Sequence, residues 1–337
     1  MTGRRKLGWA AAGVAVLLAG ALALSMIPRA EPPDHSLPAR PPVLSETQVQ
    51  EIIDRLSRGA AEADELQDPA LAAKIFSGPA LKLREANYSI RAADNTFPYP
   101  APIPSEPIVR VLSQRSGAWP AAIFVVVGKS GDPKVVPTVV ALTQPARGAD
   151  WRVEYSFTLE PRAVLPFTTP DGTTRLPAET RLLAVGPGAL AAAFGDIIAK
   201  GPESSHAGLF ALEGDSLLKE IGLGARNARK AMVPGGASMT FETAPGAGEI
   251  IALATGGGGA IVAVSLTETT IIRVVEAGAS VNPEGSVKAL SGVTSTTKGT
   301  SAVYEDLLLF HVPAAGSASK ITLLGWASGL ASAKEAQ

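Results

Sequence analysis

Two adjacent carboxylates beside an apolar strand are the residues best suited to acid–base chemistry. Glu305 and Asp306 directly precede the apolar run 307–310. Neighbouring side chains of a strand point to opposite faces, so one of the two must face the interior or lie at the rim of the sheet. A carboxylate in apolar surroundings has a raised pKa and can act as a general base, as in ketosteroid isomerase. The simpler interpretation is a solvated pair at the end of a strand, without a chemical role.

Aromatic residues on a second predicted strand offer walls for a pocket. Trp151, Val153, Tyr155 and Phe157 alternate with polar residues. This period of two predicts a strand with one face in the core and the other in solvent. Trp151 and Tyr155 would then face inward, where they could line a cavity for a small molecule or a glycan.

The other chemically competent residues form no recognised motif. His35, His206 and His311 are far apart, and none has a second ligand at the spacing of a metal site. The glycines at 256–259 precede a predicted strand, which favours a hairpin turn over a phosphate-binding loop. The chain has no cysteine, no Gly-x-Ser-x-Gly motif and no Asp-x-Asp motif. We therefore predict no catalytic residue from a motif, no metal site and no cofactor.

The N-terminus predicts export from the cytoplasm. Arg4, Arg5 and Lys6 precede 21 uncharged residues, 7–27. A helix of that length spans roughly 30 Å, about one hydrocarbon core, and flanking positive charge stays on the cytoplasmic side. The small residues near the end of this segment also fit a signal-peptide cleavage site, so a cleaved signal peptide remains the alternative to an anchor. Without cleavage the chain crosses the membrane once; with cleavage it is secreted.

Composition distinguishes a proline-rich tether, residues 28–44, from the folded region that follows it. The balance of charges also argues against nucleic-acid binding. Six prolines in residues 28–44 favour an extended polyproline spacer. The chain has 30 Lys+Arg against 31 Asp+Glu, a formal net charge of −1, which gives no basic surface for nucleic acid. The hydrophobic fraction of 46% is sufficient for packed cores.

The first half of the folded region, residues 45–160, predicts helices followed by strands. Ser45 and Gln48 form a capping-box pattern, and Asp68-Pro69 and Ser77-Gly78-Pro79 mark two further helix starts. Ala80, Leu83, Asn87 and Ile90 share one face of the third helix, where the polar Asn87 needs hydrogen-bond partners. Strands are predicted at 108–112, 121–127, 135–143 and 151–159.

The second half repeats this order after a Pro- and Thr-rich linker at 161–178. Residues 179–330 predict helical segments at 188–199, 204–210 and 215–231, and then strands at 238–243, 250–254, 260–275, 289–297, 302–312 and 320–326. Residues 331–337 are expected to be a tail. The fold class is α+β, with two tandem halves in which a curved antiparallel sheet follows helices, as in cystatin-like or NTF2-like cones.

Three stretches resemble a known group of proteins. They are DPALAAKIFSGPALKLREANYSIRAAD (68–94), GPESSHAGLFALEGDSLLKEI (201–221) and YEDLLLFHVPAAGSASKITLLGW (304–326). They resemble exported actinobacterial proteins, membrane-anchored or lipoprotein-like, that are built around a domain of unknown function. Some relatives carry a glycosyltransferase label, but this chain lacks the residues which that activity needs. Many relatives would anchor through a lipidated cysteine, so its absence here favours residues 7–27 as the anchor.

These observations favour a binding or scaffold protein of the cell envelope. It would be tethered to the membrane through residues 7–27 and meet an envelope protein or a cell-wall polymer outside the cytoplasm. A small-molecule or glycan binder with a pocket at Trp151 and Tyr155 is the alternative. An isomerase-, hydrolase- or glycosyltransferase-like enzyme with Glu305 or Asp306 as its base is a further one.

Overall fold

Helices and strands fill most of the part of the chain that the structure describes. The computed structural model describes residues 41–128, 136–161, 163–166 and 171–337. Its α-helices are α1 (Glu46–Leu66), α2 (Pro69–Ile75), α3 (Gly78–Ala93), α4 (Pro187–Lys200), α5 (Ser216–Ile221), α6 (Leu223–Ala231) and α7 (Gly285–Ser291). Its strands are β1 (Ile108–Ser113), β2 (Ala121–Val127), β3 (Thr138–Gln144), β4 (Arg152–Leu159), β5 (Ala237–Pro245), β6 (Ile251–Ala254), β7 (Ala260–Val274), β8 (Gly299–Val312) and β9 (Thr322–Glu335).

The first two helices begin where their capping residues predict. The Ser45 side chain accepts a hydrogen bond from the Gln48 backbone, and the Gln48 side chain accepts one from the Ser45 backbone. This reciprocal pair satisfies two amides that have no partner within the helix. Asp68 accepts hydrogen bonds from the backbone of Ala70 and Leu71 at the start of α2, with Pro69 in the first turn. The predicted capping box and Asp-Pro start are both confirmed.

The strands of both halves join one antiparallel sheet. Their order is β1-β2-β3-β4-β9-β8-β7-β5, and β6 also pairs with β7. β4 meets β9 through two residue pairs, Thr158 with Trp326 and Leu159 with Gly325. The two sheets expected from the sequence are therefore connected edge to edge, through a pairing between strands more than 150 residues apart.

Both faces of β2, β3 and the central part of β8 are buried, because the strands of the two halves also pack face to face. On β2, Ile123 lies in a core beneath α1–α3, whereas Phe124 points into a second core. This second core also contains Leu309 of β8. On the opposite face of β8, Phe310 packs against Phe194 of α4, with ring centroids 5.1 Å apart. The layers therefore run helices, strands, strands, helix.

Three predicted segments differ from the structure. Residues 289–297, predicted as a strand, include the end of α7, which stops where Gly292 adopts a left-handed conformation with φ of 66°. Residues 204–210 contain only the 3-10 turn Ala207–Leu209. β9 extends to Glu335 through the predicted tail, because it pairs with β8 as far as Thr300. The predicted glycine hairpin at 256–259 is confirmed between β6 and β7.

No helix within the described residues has the length and apolar character to cross a bilayer. The predicted anchor at 7–27, and the Pro-rich spacer up to residue 40, lie outside the described residues.

Candidate ligand-binding site

A β-bulge separates the two aromatic residues predicted to form one wall. The pairing of β3 with β4 shifts between Ala141, opposite Tyr155, and Leu142, opposite Val153, so Glu154 is the extra residue. A one-residue insertion sends the side chains that follow it to the other face. Trp151 therefore lies in the core beneath α1–α3, and Tyr155 lies in the core between the strand layers. The prediction that both residues line one inward face is wrong.

Tyr155 has a packing role. It is fully buried, stacks on Phe157 with ring centroids 5.4 Å apart, and donates a hydrogen bond of 2.8 Å to the Glu249 carbonyl. Burial, together with the nearby Glu154 charge, raises the pKa of Tyr155 well above its usual value. Its hydroxyl therefore stays protonated and keeps its donor role.

The bulged Glu154 carboxylate lies at the N-terminus of α3. The Ser77 hydroxyl donates to Oε2 at 2.6 Å, and the Glu249 backbone donates to Oε1 at 3.0 Å. Gly78 has φ of 50°, and a Cβ atom there would overlap Oε1. The helix dipole favours an anion at this end. The anion next to Gly78 and Pro79 is therefore the carboxylate of Glu154 and not a bound phosphate. The Ser77 hydroxyl donates its hydrogen bond to this carboxylate instead of capping the helix.

Glu305 is buried on one face of β8 and paired with a lysine of α3. Its side chain is 3% exposed, and Oε2 accepts a hydrogen bond of 2.8 Å from Lys82 Nζ. The loop after β5 covers it closely, because a Cβ atom on Gly246 would lie 2.7 Å from Oε1. The lysine charge and the tight cover are consistent with a structural ion pair.

Asp306 is buried on the opposite face of β8. Neither of its carboxylate oxygens has a well-formed hydrogen bond among the described residues, and Ser328, opposite it on β9, offsets only part of the effect of burial. Burial raises the pKa of Asp306 to about 7, and the negative charge of Glu268 adds to the rise. Glu268 itself pairs with Arg226 at 2.5 Å. The predicted solvated pair is wrong, since Glu305 and Asp306 both lie between packed layers.

A cavity of about 380 Å³ opens between α3, the strands and a proline-rich segment. Residues 97–103, which we call the proline strap, form one wall. Leu83 and Ile90 of α3 form a second wall, and Leu307 of β8 and Leu330 of β9 lie on the sheet side. Trp151, Tyr155, Glu305 and Asp306 do not line this cavity. Its volume lies within the range of small-molecule sites.

Three polar side chains of α3 fasten the strap to the protein. Arg84 forms a buried ion pair with Asp64 and donates 2.6 Å to the Ala101 carbonyl. Asn87 Nδ2 donates 3.1 Å to the Pro98 carbonyl. The Arg91 guanidinium lies 3.5 Å from the centroid of the Tyr99 ring and donates to the Phe97 carbonyl. The strap is thus held by side chains, whereas its prolines lack the amides that a strand would need.

The cavity lining is mostly apolar and carries little net charge. Among the described residues that line it, Arg84 is the only charged one, and Asp64 neutralises it. Ser156 and Thr158 of β4 and Ser328 of β9 add hydroxyl groups. The site therefore suits a ligand with a largely apolar body.

Two larger cavities are less suitable as binding sites for a small ligand. One of about 550 Å³ runs along the edge strand β1, and another of about 520 Å³ lies beside Met232, which is 82% exposed. The strap cavity lies instead between a helix, strands of both halves and a fastened segment. Across the described residues, no group of His, Asp and Glu side chains is arranged to hold a metal ion.

Sequence reasoning identified Asn87 as an interior polar group in need of partners, and the structure has it half-buried, but sequence reasoning missed the strap. The signal was the alternation of Phe97, Tyr99 and Ala101 with prolines, a pattern that favours a polyproline conformation. Which surface such a segment covers depends on the side-chain contacts of Arg84 and Arg91, and these have no periodic signature.

Comparison with known proteins identifies a family and no characterised relative. No curated protein and no solved structure matches the chain. A family model described as a domain of unknown function, DUF8094, matches residues 40–335, which include every helix and strand described above. The chain therefore belongs to the DUF8094 family.

Proposed function

We propose that this protein is an extracytoplasmic, membrane-tethered binding protein that takes a small, mainly apolar molecule into the strap cavity. The cavity of about 380 Å³ carries this proposal. A ligand that binds against its apolar walls removes apolar surface from water, which stabilises the complex by roughly 25 cal/mol per Å² of buried apolar surface.

The membrane part of the proposal rests on the sequence. The basic residues 4–6, the uncharged run 7–27 and the proline-rich spacer 28–44 are typical of an anchor and tether outside the cytoplasm. A binding domain held there would meet apolar molecules that leave the membrane or cross the envelope. The same placement would suit an envelope protein or a cell-wall polymer as a partner.

An enzyme that uses Glu305 or Asp306 as its base has less support. Lys82 forms an ion pair with Glu305, and Asp306 is buried near Arg226 of α6 and Glu268 of β7. Neither carboxylate lines the strap cavity, so a substrate there would not meet a base. We also propose that each half follows a cystatin-like or NTF2-like plan, an analogy of architecture supported by the order of helices before strands in both halves.

A photoreactive probe tests the binding function in the full-length protein in its own membranes. The probe is a ten-carbon alcohol with a diazirine on its chain. We expect it to label the wild-type protein, and we expect excess 1-decanol to suppress the labelling. Ala327→Phe places a ring in the cavity and should reduce labelling at least tenfold.

Ala333→Phe is the matched control, because Ala333 lies on the same strand but does not line the cavity. It should label as the wild type does. Equal labelling of all three proteins, or no labelling of the wild type, would overturn the proposal.

A further inference from the structure

The strand β5 ends the sheet on one side and turns half of its backbone groups away from its neighbour. It pairs with β7 along nine residues without a register shift. At the two ends of this pairing, the Val275 amide donates to the Gly236 carbonyl and the Gly246 amide donates to the Ser265 carbonyl. Bonded and non-bonded pairs alternate in an antiparallel ladder. The even-numbered residues of β5 therefore bond to β7, and the odd-numbered ones face outward.

The outward side of residues 237–243, which we call the β5 edge, can accept another strand. The outward amides and carbonyls of Met239 and Phe241 have no hydrogen-bond partner among the described residues. Natural proteins commonly protect such edges with bulges or prolines. The pairing of β5 contains no bulge, and its proline, Pro245, is its last residue. An extended chain can therefore add to this edge through backbone hydrogen bonds.

A lysine without an ion-pair partner lies beside the middle of this edge. Lys230 of α6 is exposed, and its Nζ atom is 5.8 Å from the centroid of the Phe241 ring. Among the described residues it forms no ion pair, whereas the neighbouring Arg229 pairs with Glu268. The β5 edge therefore carries an uncompensated positive charge on the side of α6.

The nearby acidic residues do not neutralise this charge. Residues 223–241 contain no Asp or Glu. Glu242 follows Phe241 directly and so points to the opposite face of the strand. Glu276 lies beside Gly236, five residues before Phe241 and thus roughly 17 Å away along the strand. A residue of an added strand opposite Phe241 would lie about 5 Å from it, so an acidic side chain there can pair with Lys230.

An apolar groove on the same face of β5 offers a second contact. It has a volume of about 520 Å³, and its lining includes Met232, Met239, Ile272 and Val281. Met239 and Phe241 point to the same face, because they are two residues apart on a strand. An added strand would therefore place one side chain beside the lysine and the next on that face beside the groove.

We propose that the β5 edge binds an extended segment of a partner protein, as an added antiparallel strand, and that this segment carries acidic and apolar side chains in turn on one face. Its backbone bonds to Met239 and Phe241, a carboxylate pairs with Lys230, and an apolar side chain enters the groove. A second copy of this chain fits less well, because it would bring a second Lys230 to the same place. The site is separate from the strap cavity, which no residue of β5 lines among the described residues.

A fluorescein-labelled peptide of ten residues tests the proposal, with the full-length protein in nanodiscs of uncharged lipid. Its even positions are threonine, and its odd positions alternate between valine and glutamate. One control peptide has lysine in place of glutamate. The other is N-methylated at valine and glutamate, whose amides would face β5. By fluorescence anisotropy we expect the glutamate peptide to bind about tenfold more tightly than the lysine peptide. N-methylation should weaken binding at least about tenfold, because it removes two or more hydrogen bonds.

Lys230→Glu reverses the charge beside the edge. We expect it to reverse the preference, so that the lysine peptide binds about tenfold more tightly than the glutamate peptide. A loss of folded structure would weaken both peptides and would not invert their order. Lys320→Glu is the matched control, because Lys320 is also exposed but precedes β9. It should keep the preference of the wild type.

Each of four results would overturn the proposal. The first is a dissociation constant of the glutamate peptide weaker than about 1 mM for the wild type. The second is equal binding of the N-methylated peptide, and the third is the same preference in Lys230→Glu and Lys320→Glu. The fourth is a wild-type dimer in light scattering that Met239→Pro, which removes an outward amide, converts to a monomer. That result would assign the β5 edge to a second copy of this chain.

Discussion

At the scale of single residues, Gly78 shows how closely the buried carboxylates are packed. Its φ of 50° disfavours any other residue, and the Glu154 carboxylate occupies the space of a Cβ atom. We expect Gly78→Ala to lower the free energy of unfolding by about 3 kcal/mol or more, through backbone strain together with the displacement of a buried charge. Urea denaturation followed by circular dichroism measures this change.

Gly148→Ala is the matched control for backbone strain. Gly148 has φ of 80°, but no atom lies within 4 Å of its Cβ position. Its replacement should therefore cost only about 1 kcal/mol. Equal losses in the two variants would show that the Glu154 contact contributes nothing.

Asp306 predicts a dependence of stability on pH. Its pKa is about 7 in the folded protein and about 3.9 when unfolded, so the native state binds the proton more tightly. The resulting stabilisation is fully present below pH 4 and is lost as the pH rises through 7. Relative to the wild type, Asp306→Asn should gain stability between pH 4 and pH 8, on the order of 4 kcal/mol.

Thermal denaturation across this pH range measures the difference between the two proteins. Asp171→Asn, at an exposed position, should follow the wild type throughout. A constant difference between Asp306→Asn and the wild type would contradict the raised pKa.

At the scale of elements, the junction of β4 with β9 depends on a glycine. A Cβ atom on Gly325 would lie 2.6 Å from the Thr158 carbonyl oxygen, which is part of the backbone. On the same strand, a Cβ atom on Gly329 would lie 2.9 Å from the end of the flexible Leu83 side chain. Gly325→Ala should therefore lower the free energy of unfolding by about 2 kcal/mol or more, as overpacking does.

Gly329→Ala should cost less than about 1 kcal/mol, because Leu83 can change its rotamer. Chemical denaturation of the two variants tests the difference. A larger loss in Gly329→Ala than in Gly325→Ala would contradict the role of the junction.

Local sequence patterns predicted the helices, strands and turns better than they predicted the long-range contacts between them. The capping box at Ser45 and the glycine hairpin at 256–259 depend on neighbours in sequence, and both are confirmed. The bulge at Glu154 cannot be read from the alternation around it, because the partner of its side chain, Ser77 at the N-terminus of α3, is distant in sequence. For the candidate site, the sequence indicated that Asn87 is a polar residue in need of hydrogen-bond partners. The prediction that Trp151 and Tyr155 line one pocket was wrong.

At the scale of the whole molecule, the core between the strand layers couples the two halves. Phe157 of β4 and Leu309 of β8 belong to the same core. We therefore expect one cooperative unfolding transition for both halves. Variants that keep only Trp151 or only Trp326 report the first and the second half by fluorescence, and their midpoints in urea should coincide. Separate midpoints would show two independent domains.

The position of a covalent label tests the central claim most directly. The full-length protein is labelled in its membranes with the photoreactive alcohol, digested and examined by peptide mass spectrometry. The account predicts labels on α3, the proline strap and residues 327–330 of β9, all of which line the cavity. Labels confined to the exposed region around Met232, or to β1 at the sheet edge, would contradict it.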